Sequence, residues 1–120
     1  MYVEEEQGQA PEPDIVSRYE MIRDYSRMMR HYAKAGDWDQ LVALQTTYVG
    51  AMEALADAEV DIDLSELDAG RKYALVLEIQ AAEADVRECL DRRLGELSES
   101  MSSSQRRQDV AQAYERQGRS

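Results

Sequence analysis

The position of the prolines constrains this chain more than any other feature. Both of them, Pro11 and Pro13, lie within the first 13 residues, so no proline interrupts a helix in the rest of the chain. From Asp14 onward, apolar side chains recur at spacings of three and four residues, which is typical of amphipathic helices. We therefore predict an all-α fold: an antiparallel three-helix bundle with a long third helix and a short C-terminal fourth helix.

Residues 1–13 are predicted to form a disordered acidic tail. Glu4, Glu5 and Glu6 repel one another, and Gly8 and the two prolines disfavour a helix. The remaining chain is predicted to divide into a helical bundle at 14–104 and a C-terminal segment at 105–120.

The ends of the first two helices are marked by capping residues. Asp14 is predicted to cap a helix that runs to about Ala35, where Gly36 supplies the left-handed stop. Asp37 then caps a second helix that ends near Glu59. Because almost no chain joins the two helices, we expect them to form an antiparallel hairpin.

The third helix is predicted to begin at Ser65 and to run to about Ser100. Such a helix is roughly 50 Å long at 1.5 Å per residue and extends beyond the first two helices. An apolar stripe from Val86 to Met101 is then left without a cover. A stripe of this kind indicates a binding site, a dimer seam, or a place where the chain folds back.

The amino-acid composition of the chain changes after the third helix. A Ser-rich stretch at 98–104 is predicted to act as a hinge, because serine weakens helices. A short basic helix follows, and a helix of this length needs a surface to lie on. It is interpreted either as a reversible cover held partly by charge on an acidic body or as a frayed end.

Composition excludes several classes of function. The net charge of −11 argues against direct contact with nucleic acid, which requires clustered Lys and Arg. His31 and Cys89 are each the only residue of their type, so no metal-ligand spacing exists, and no glycine-rich phosphate loop is present. We predict no catalytic site, no cofactor and no membrane contact. A cytoplasmic location is expected because the N-terminus lacks a signal-peptide pattern.

Three segments resemble a known family. Residues 35–41 (Ala-Gly-Asp-Trp-Asp-Gln-Leu), together with Tyr48 and the Met-Glu-Ala-Leu of 52–55, are similar to the signature hairpin of the FliT family of flagellar export chaperones. Residues 84–87 and 91–97 resemble the third helix of that family, and Ala113-Tyr114 resembles its short C-terminal segment.

This resemblance implies a cytoplasmic chaperone that holds the C-terminal helical segment of the flagellar filament-cap protein until export. It also implies docking on the export ATPase complex and, in some lineages, binding to a flagellar transcription regulator. The last helix would act as an autoinhibitory lid through Val110 and Tyr114. We expect a helix-in-groove site, whose lining is predicted to be Tyr48, Met52, Leu55, Val86, Leu90, Leu94 and Leu97.

Other interpretations remain open from the sequence. The groove residues have the same periodicity as an ordinary three-helix core, to which Tyr19 and Trp38 are assigned. A homodimeric helical adaptor would bury the uncovered stripe against its own copy. An anti-activator would bind mainly the transcription regulator.

Overall fold

The computed structural model describes residues 14–118, and this part of the chain is entirely helical apart from short connections. Helix α1 spans Ile15–Ala35, α2 spans Trp38–Glu59 and α3 spans Glu66–Gly118. The all-α prediction and the long third helix are confirmed. The predicted acidic tail at 1–13 lies outside the described residues.

The predicted caps fix the ends of α1. A carboxylate oxygen of Asp14 accepts a 2.7 Å hydrogen bond from the backbone N–H of Ser17, and this bond lowers the pKa of Asp14. At the other end, Gly36 has a φ of 73°, and its N–H donates to the carbonyl of Ala33. This left-handed residue ends the helix and turns the chain back.

Side-chain caps also begin the other two helices. Oδ1 of Asp37 accepts a 3.4 Å bond from the N–H of Gln40 at the start of α2. Oγ of Ser65 accepts a 3.1 Å bond from the N–H of Asp68 at the start of α3. Both starts were predicted from the sequence, because capping is a local interaction that short stretches of chain encode.

Helix α1 lies between the other two helices and packs against both. Within residues 14–118, no Cα of α2 comes within 8 Å of a Cα of α3. The hairpin makes α2 antiparallel to α1. Ion pairs between α1 and α3 show that these helices run in the same direction: Arg27 contacts Glu78 at 2.7 Å, and Arg30 contacts Asp85 at 3.7 Å.

The core follows the inner face of each helix. Ile22 and Leu75 are fully buried, and Ser26 is 2% exposed. The Ser26 hydroxyl donates to the carbonyl of Arg23, so its burial leaves no unsatisfied donor. Tyr19 is buried in this core and Trp38 packs against it, as predicted. The other buried apolar residues are Ile15, Met29, Ala33, Leu41, Tyr48, Leu55, Ile79, Ala82, Val86 and Cys89.

The prediction of a separate short fourth helix after a Ser-rich hinge is wrong. Residues 98–104 are helical, and α3 continues through them to Gly118. Serine is only moderately less favourable than alanine in a helix, and no proline or glycine lies between Gly95 and Gly118. A hydrogen bond from Gln105 to Asp109, one turn apart, lies within the same continuous helix.

The continuous α3 makes the molecule long. Its 53 residues extend about 80 Å at the standard helical rise, and the molecule measures 93 × 35 × 25 Å. The hairpin of α1 and α2 reaches along α3 as far as the surroundings of Arg93 and Glu96, which face the Gly36 turn. Beyond Glu96, α3 projects without a partner helix among the described residues.

No helix among residues 14–118 combines the length and the apolar character that crossing a membrane requires.

Candidate functional site: the groove between α2 and α3

The separation of α2 and α3 leaves an open groove whose floor is α1. Ile22, Ser26 and Met29 of α1 form this floor. The α2 wall contains Gln45, Tyr48, Met52, Leu55 and Ala56, and the α3 wall contains Val76, Ile79, Gln80, Glu83, Val86, Arg87 and Leu90. Most of these side chains are apolar, so the groove is suited to an apolar occupant.

A hydrogen bond crosses the middle of the groove. The hydroxyl of Tyr48 donates to Oε2 of Glu83 at 2.8 Å. Burial, followed by this carboxylate neighbour, raises the pKa of Tyr48 well above its ordinary value, so the tyrosine stays protonated and remains a donor. Glu83 lines the cavities on both sides of this bond, which therefore divides the groove into two compartments.

A polar cluster closes the groove at the end nearest the α2–α3 connection. Tyr19 of α1 donates a 2.7 Å hydrogen bond to Oε1 of Glu59, and Lys72 of α3 binds Oε2 of the same carboxylate. The lysine ammonium also lies 5.3 Å from the centre of the Tyr19 ring, within the range of a cation–π contact. Three helices therefore meet at one carboxylate.

The cluster shifts the pKa of each of its members. Burial, then the Glu59 carboxylate, raises the pKa of Tyr19. Burial is the largest influence on Glu59 and acts upward, but the bonds from Lys72 and Tyr19 together lower its pKa. The hydrogen bond to Glu59 raises the pKa of Lys72. Each shift of Glu59 and Lys72 favours the charged form that the ion pair requires.

The structure divides the predicted groove residues into three groups. Tyr48, Val86 and Leu90 line the compartment nearer the hairpin turn. Met52 and Leu55 line the compartment nearer the polar cluster. Leu94 and Leu97 line neither compartment and are exposed beyond the groove on α3. Five of the seven predicted residues therefore lie along the two compartments, and the sequence did not indicate that the groove is divided.

The exposed fractions of these residues distinguish the side chains of the core from those that are accessible in the groove. Tyr48, Leu55 and Val86 are buried, so they belong to the core as well as to the groove lining. Met52 is 40% exposed and Leu90 is 38% exposed, and these two side chains are therefore available to an occupant. Spacings of four, three and four residues place Leu90, Leu94, Leu97 and Met101 on one face of α3.

The two predicted lid residues lie far along α3 and do not line the groove. Val110 and Tyr114 are both strongly exposed. Val110 borders a shallow depression that Arg106, Arg107 and Ala111 also line. The role of these residues as a lid stays a prediction.

Sequence reasoning did not find Glu83, although a signal was available. Glu83 follows Ile79 by four residues and precedes Leu90 by seven, so it lies on the apolar line of α3. A charged residue on such a line indicates either a buried partner or a binding site. Its partner, Tyr48, lies 35 residues away, and this contact only becomes visible in the folded chain.

No group of three or more His, Cys, Asp or Glu side chains within residues 14–118 is arranged to hold a metal ion. Cys89 is buried against the core.

Fold and site together define the class of this molecule: a small all-helical protein with an open, largely apolar groove between two helices. The chain belongs to the flagellar protein FliT family, whose model matches residues 16–116. This is a family of flagellar proteins and not a family of enzymes.

Individual relatives agree with this assignment. The chain is 26% identical over 106 residues to flagellar protein FliT of Pectobacterium atrosepticum, covering 83% of this chain and 84% of the relative. It is 29% identical over 102 residues to that of Photorhabdus laumondii, covering 84% and 81%. It is 30% identical over 100 residues to that of Yersinia pestis, covering 83% of each chain.

A solved structure shares the fold. The crystal structure of flagellar protein FliT from Bordetella bronchiseptica superposes with a TM-score of 0.67 at 28% identity. The match covers 71% of this chain and 96% of the solved chain.

Proposed function

We propose that this protein is a cytoplasmic chaperone of flagellar export that binds the C-terminal helical segment of the filament-cap protein and delivers it to the export apparatus. Family membership and the expectations stated above for export chaperones support this assignment. The observation that carries it is the open groove, because α2 and α3 leave a largely apolar gap above α1, the kind of surface that helix-in-groove recognition uses.

The direct test is calorimetric titration of the cap-protein C-terminal segment into the full chain. Leu90→Glu places a charge at the exposed edge of the groove and is expected to weaken binding at least tenfold, equivalent to about 1.4 kcal/mol. Leu77→Glu is the matched control, because Leu77 is also an exposed leucine of α3 but does not line the groove.

Comparing the affinities of the two variants distinguishes an effect at the groove from a general effect of added charge. Equal binding by wild type and Leu90→Glu would place the segment elsewhere, and equal weakening by both variants would indicate a nonspecific effect. If the segment binds none of the three proteins, the cap-protein assignment is overturned. Circular dichroism and a urea midpoint confirm that each variant is folded before its affinity is interpreted.

Delivery requires a second surface, and we propose that the export ATPase complex is the docking partner, with a flagellar transcription regulator as a further partner. The part of α3 beyond the hairpin is almost entirely exposed and is available for such contacts. Co-purification of the ATPase complex with the full chain and with a chain ending at Glu96 tests this assignment. Equal recovery with both chains would exclude the projecting helix as the docking surface.

The autoinhibitory lid is part of the proposal and requires α3 to bend. For Val110 and Tyr114 to reach the groove, the helix must open between Ser98 and Ser104, where serines lower helix propensity. A chain ending at Ser104 is then expected to bind the cap-protein segment more tightly than the full chain. Unchanged affinity in the shortened chain would contradict the lid.

A second candidate is a homodimeric helical adaptor. The observation that favours it is the exposed apolar stripe of Leu94, Leu97 and Met101, which no helix among the described residues covers. Sedimentation over a hundredfold range of concentration tests it, with Leu97→Glu as the disrupting variant. A monomer at all concentrations would exclude the dimer.

A further inference from the structure

Two half-buried glutamates line the groove, and their electrostatic environments differ. Glu59, at the closed end, receives a hydrogen bond from Tyr19 and an ion pair from Lys72. Glu83, at the centre, receives a hydrogen bond from Tyr48 alone. None of the ion pairs within residues 14–118 involves the Glu83 carboxylate.

This difference matters once the groove is occupied. Glu83 lines both compartments, so a helix that fills them also covers its carboxylate and removes water from it. A carboxylate removed from water is strongly destabilised unless a charged or hydrogen-bonding partner replaces the water. Tyr48 occupies Oε2, which leaves Oε1 to be satisfied by the occupant.

We propose that Glu83 is a specificity-determining residue of the groove that pairs with a Lys or Arg side chain of the bound helix. This inference rests on the proposed function, since it names the chemistry of the helix that the groove accepts. The partner is an amphipathic helix in which one basic residue lies between apolar residues. The acidic character of the protein, with a net charge of −11, also favours a basic partner segment.

The positions of the two compartments define the spacing of the side chains along the partner helix. Leu90 follows Glu83 by seven residues of α3, and Val76 precedes it by seven. Each interval corresponds to about 10 Å along the helix axis. A partner helix lying along α3 would therefore carry its apolar side chains one to two turns on either side of the basic residue.

One cation of this chain provides an internal alternative. Arg87 lies one turn after Glu83, lines the same compartment and forms no ion pair among the described residues. If Arg87 turned toward Glu83 when the groove is filled, it would neutralise the carboxylate without help from the partner. The experiment must distinguish this arrangement from a cation supplied by the partner.

The test is a double-mutant cycle by calorimetry on the full chain. The probe is the C-terminal segment of the filament-cap protein, with each of its Lys and Arg residues changed singly to Gln. The protein variant is Glu83→Gln, whose amide oxygen still accepts the Tyr48 hydrogen bond, so the contact between α2 and α3 is kept. Glu88→Gln is the matched control, because Glu88 lies on α3 outside the groove and pairs with Arg92.

One basic residue of the segment is expected to couple to Glu83. Its change to Gln should weaken binding to the wild-type chain roughly tenfold and should have little effect on binding to Glu83→Gln. The same change should weaken binding to Glu88→Gln as much as it does for wild type. Arg87→Gln should keep the coupling.

The remaining outcomes overturn the inference in distinguishable ways. If the segment binds and no Lys or Arg couples to Glu83, the inference is overturned while the chaperone assignment stands. If Arg87→Gln lowers affinity and no client residue couples, Arg87 is the partner of Glu83. If no segment binds the wild-type chain, the proposed function fails, and the inference fails with it.

Discussion

Tyr19 and Glu59 are separated by 40 residues, yet the tyrosine hydroxyl lies 2.7 Å from a carboxylate oxygen of the glutamate. This contact joins the start of α1 to the end of α2, and Lys72 adds the start of α3 on the other carboxylate oxygen. The groove is therefore closed at one end by a polar contact among all three helices. At the other end it opens toward the projecting part of α3.

The Glu59–Lys72 pair predicts a defined pH range of stabilisation. The pKa of Glu59 is lowered, so its contribution is present above the ordinary value of 4.5 and is lost as pH falls through the lowered pKa. The pKa of Lys72 is raised, so its contribution is present below 10.5 and is lost as pH rises through the raised pKa. Because both side chains are partly solvated, we expect a coupling of only about 0.5–1 kcal/mol. A double-mutant cycle with Glu59→Gln and Lys72→Met in urea at pH 7 measures it, and a coupling unchanged at pH 2.5 would contradict this origin.

Truncation of a core leucine should be far more costly than truncation of an exposed leucine on the same helix. Leu75 has no exposed surface, and Leu75→Ala is expected to destabilise the fold by about 2–5 kcal/mol through lost burial and the resulting cavity. Leu77 lies two residues away and is 50% exposed, so Leu77→Ala should change stability by less than about 0.5 kcal/mol. Urea unfolding followed by circular dichroism compares them. Similar costs would show that α3 is rotated from the described orientation.

The glycine of the turn between α1 and α2 and a glycine inside α2 should respond oppositely to substitution by alanine. Gly36 has a φ of 73°, and a Cβ there meets only Nε1 of Trp38 at 4.0 Å, so the penalty of Gly36→Ala is conformational and about 1–2 kcal/mol. Gly50 lies inside α2 with no atom within 4 Å of an added Cβ. Gly50→Ala should therefore stabilise the protein by about 0.5–1 kcal/mol. Thermal unfolding of both variants gives the sign of each change in stability. Stabilisation by Gly36→Ala would exclude the left-handed turn.

The continuity of α3 across its serines predicts a fixed internal distance. Spin labels at Arg92 and Gln108, in a Cys89→Ala background, should report a backbone separation of about 24 Å for 16 residues of helix. The same spacing between labels at Ala81 and Leu97 provides the control, because this segment lies largely beside the hairpin. Pulsed electron resonance gives both distributions. A short or broad distribution confined to the first pair would show that the helix bends in this stretch, which is the conformation that the proposed lid requires.

The bundle should not depend on the end of α3. Residues 105–118 are all exposed, so a chain ending at Ser104 is expected to keep the urea midpoint of the full chain when α3 is extended as in the structure. Its total helical signal should fall, because 14 helical residues at 105–118 are removed. A lower midpoint in the shortened chain would show that the tail docks on the bundle in solution, as the proposed lid requires.

Local interactions explain where the sequence predictions succeeded. Asp14, Gly36, Asp37 and Ser65 mark helix ends through bonds that span three residues, and the structure contains each of them. The error at Ser98–Ser104 arose from the same local reasoning. Serine lowers helix propensity slightly, but several good helix formers on both sides outweigh it, so α3 continues.

The sequence by itself determined the helices, their caps, the hairpin and the apolar faces, because these features depend on neighbouring residues and on a 3.6-residue period. Only the tertiary structure decided that α1 lies between α2 and α3, and that Tyr48 and Leu55 are core while Met52 and Leu90 remain accessible. Only the fold brought Glu83 to Tyr48 and Lys72 to Glu59. Core and groove residues have the same helical periodicity, and the distance between two helices is set by long-range packing that no local pattern encodes.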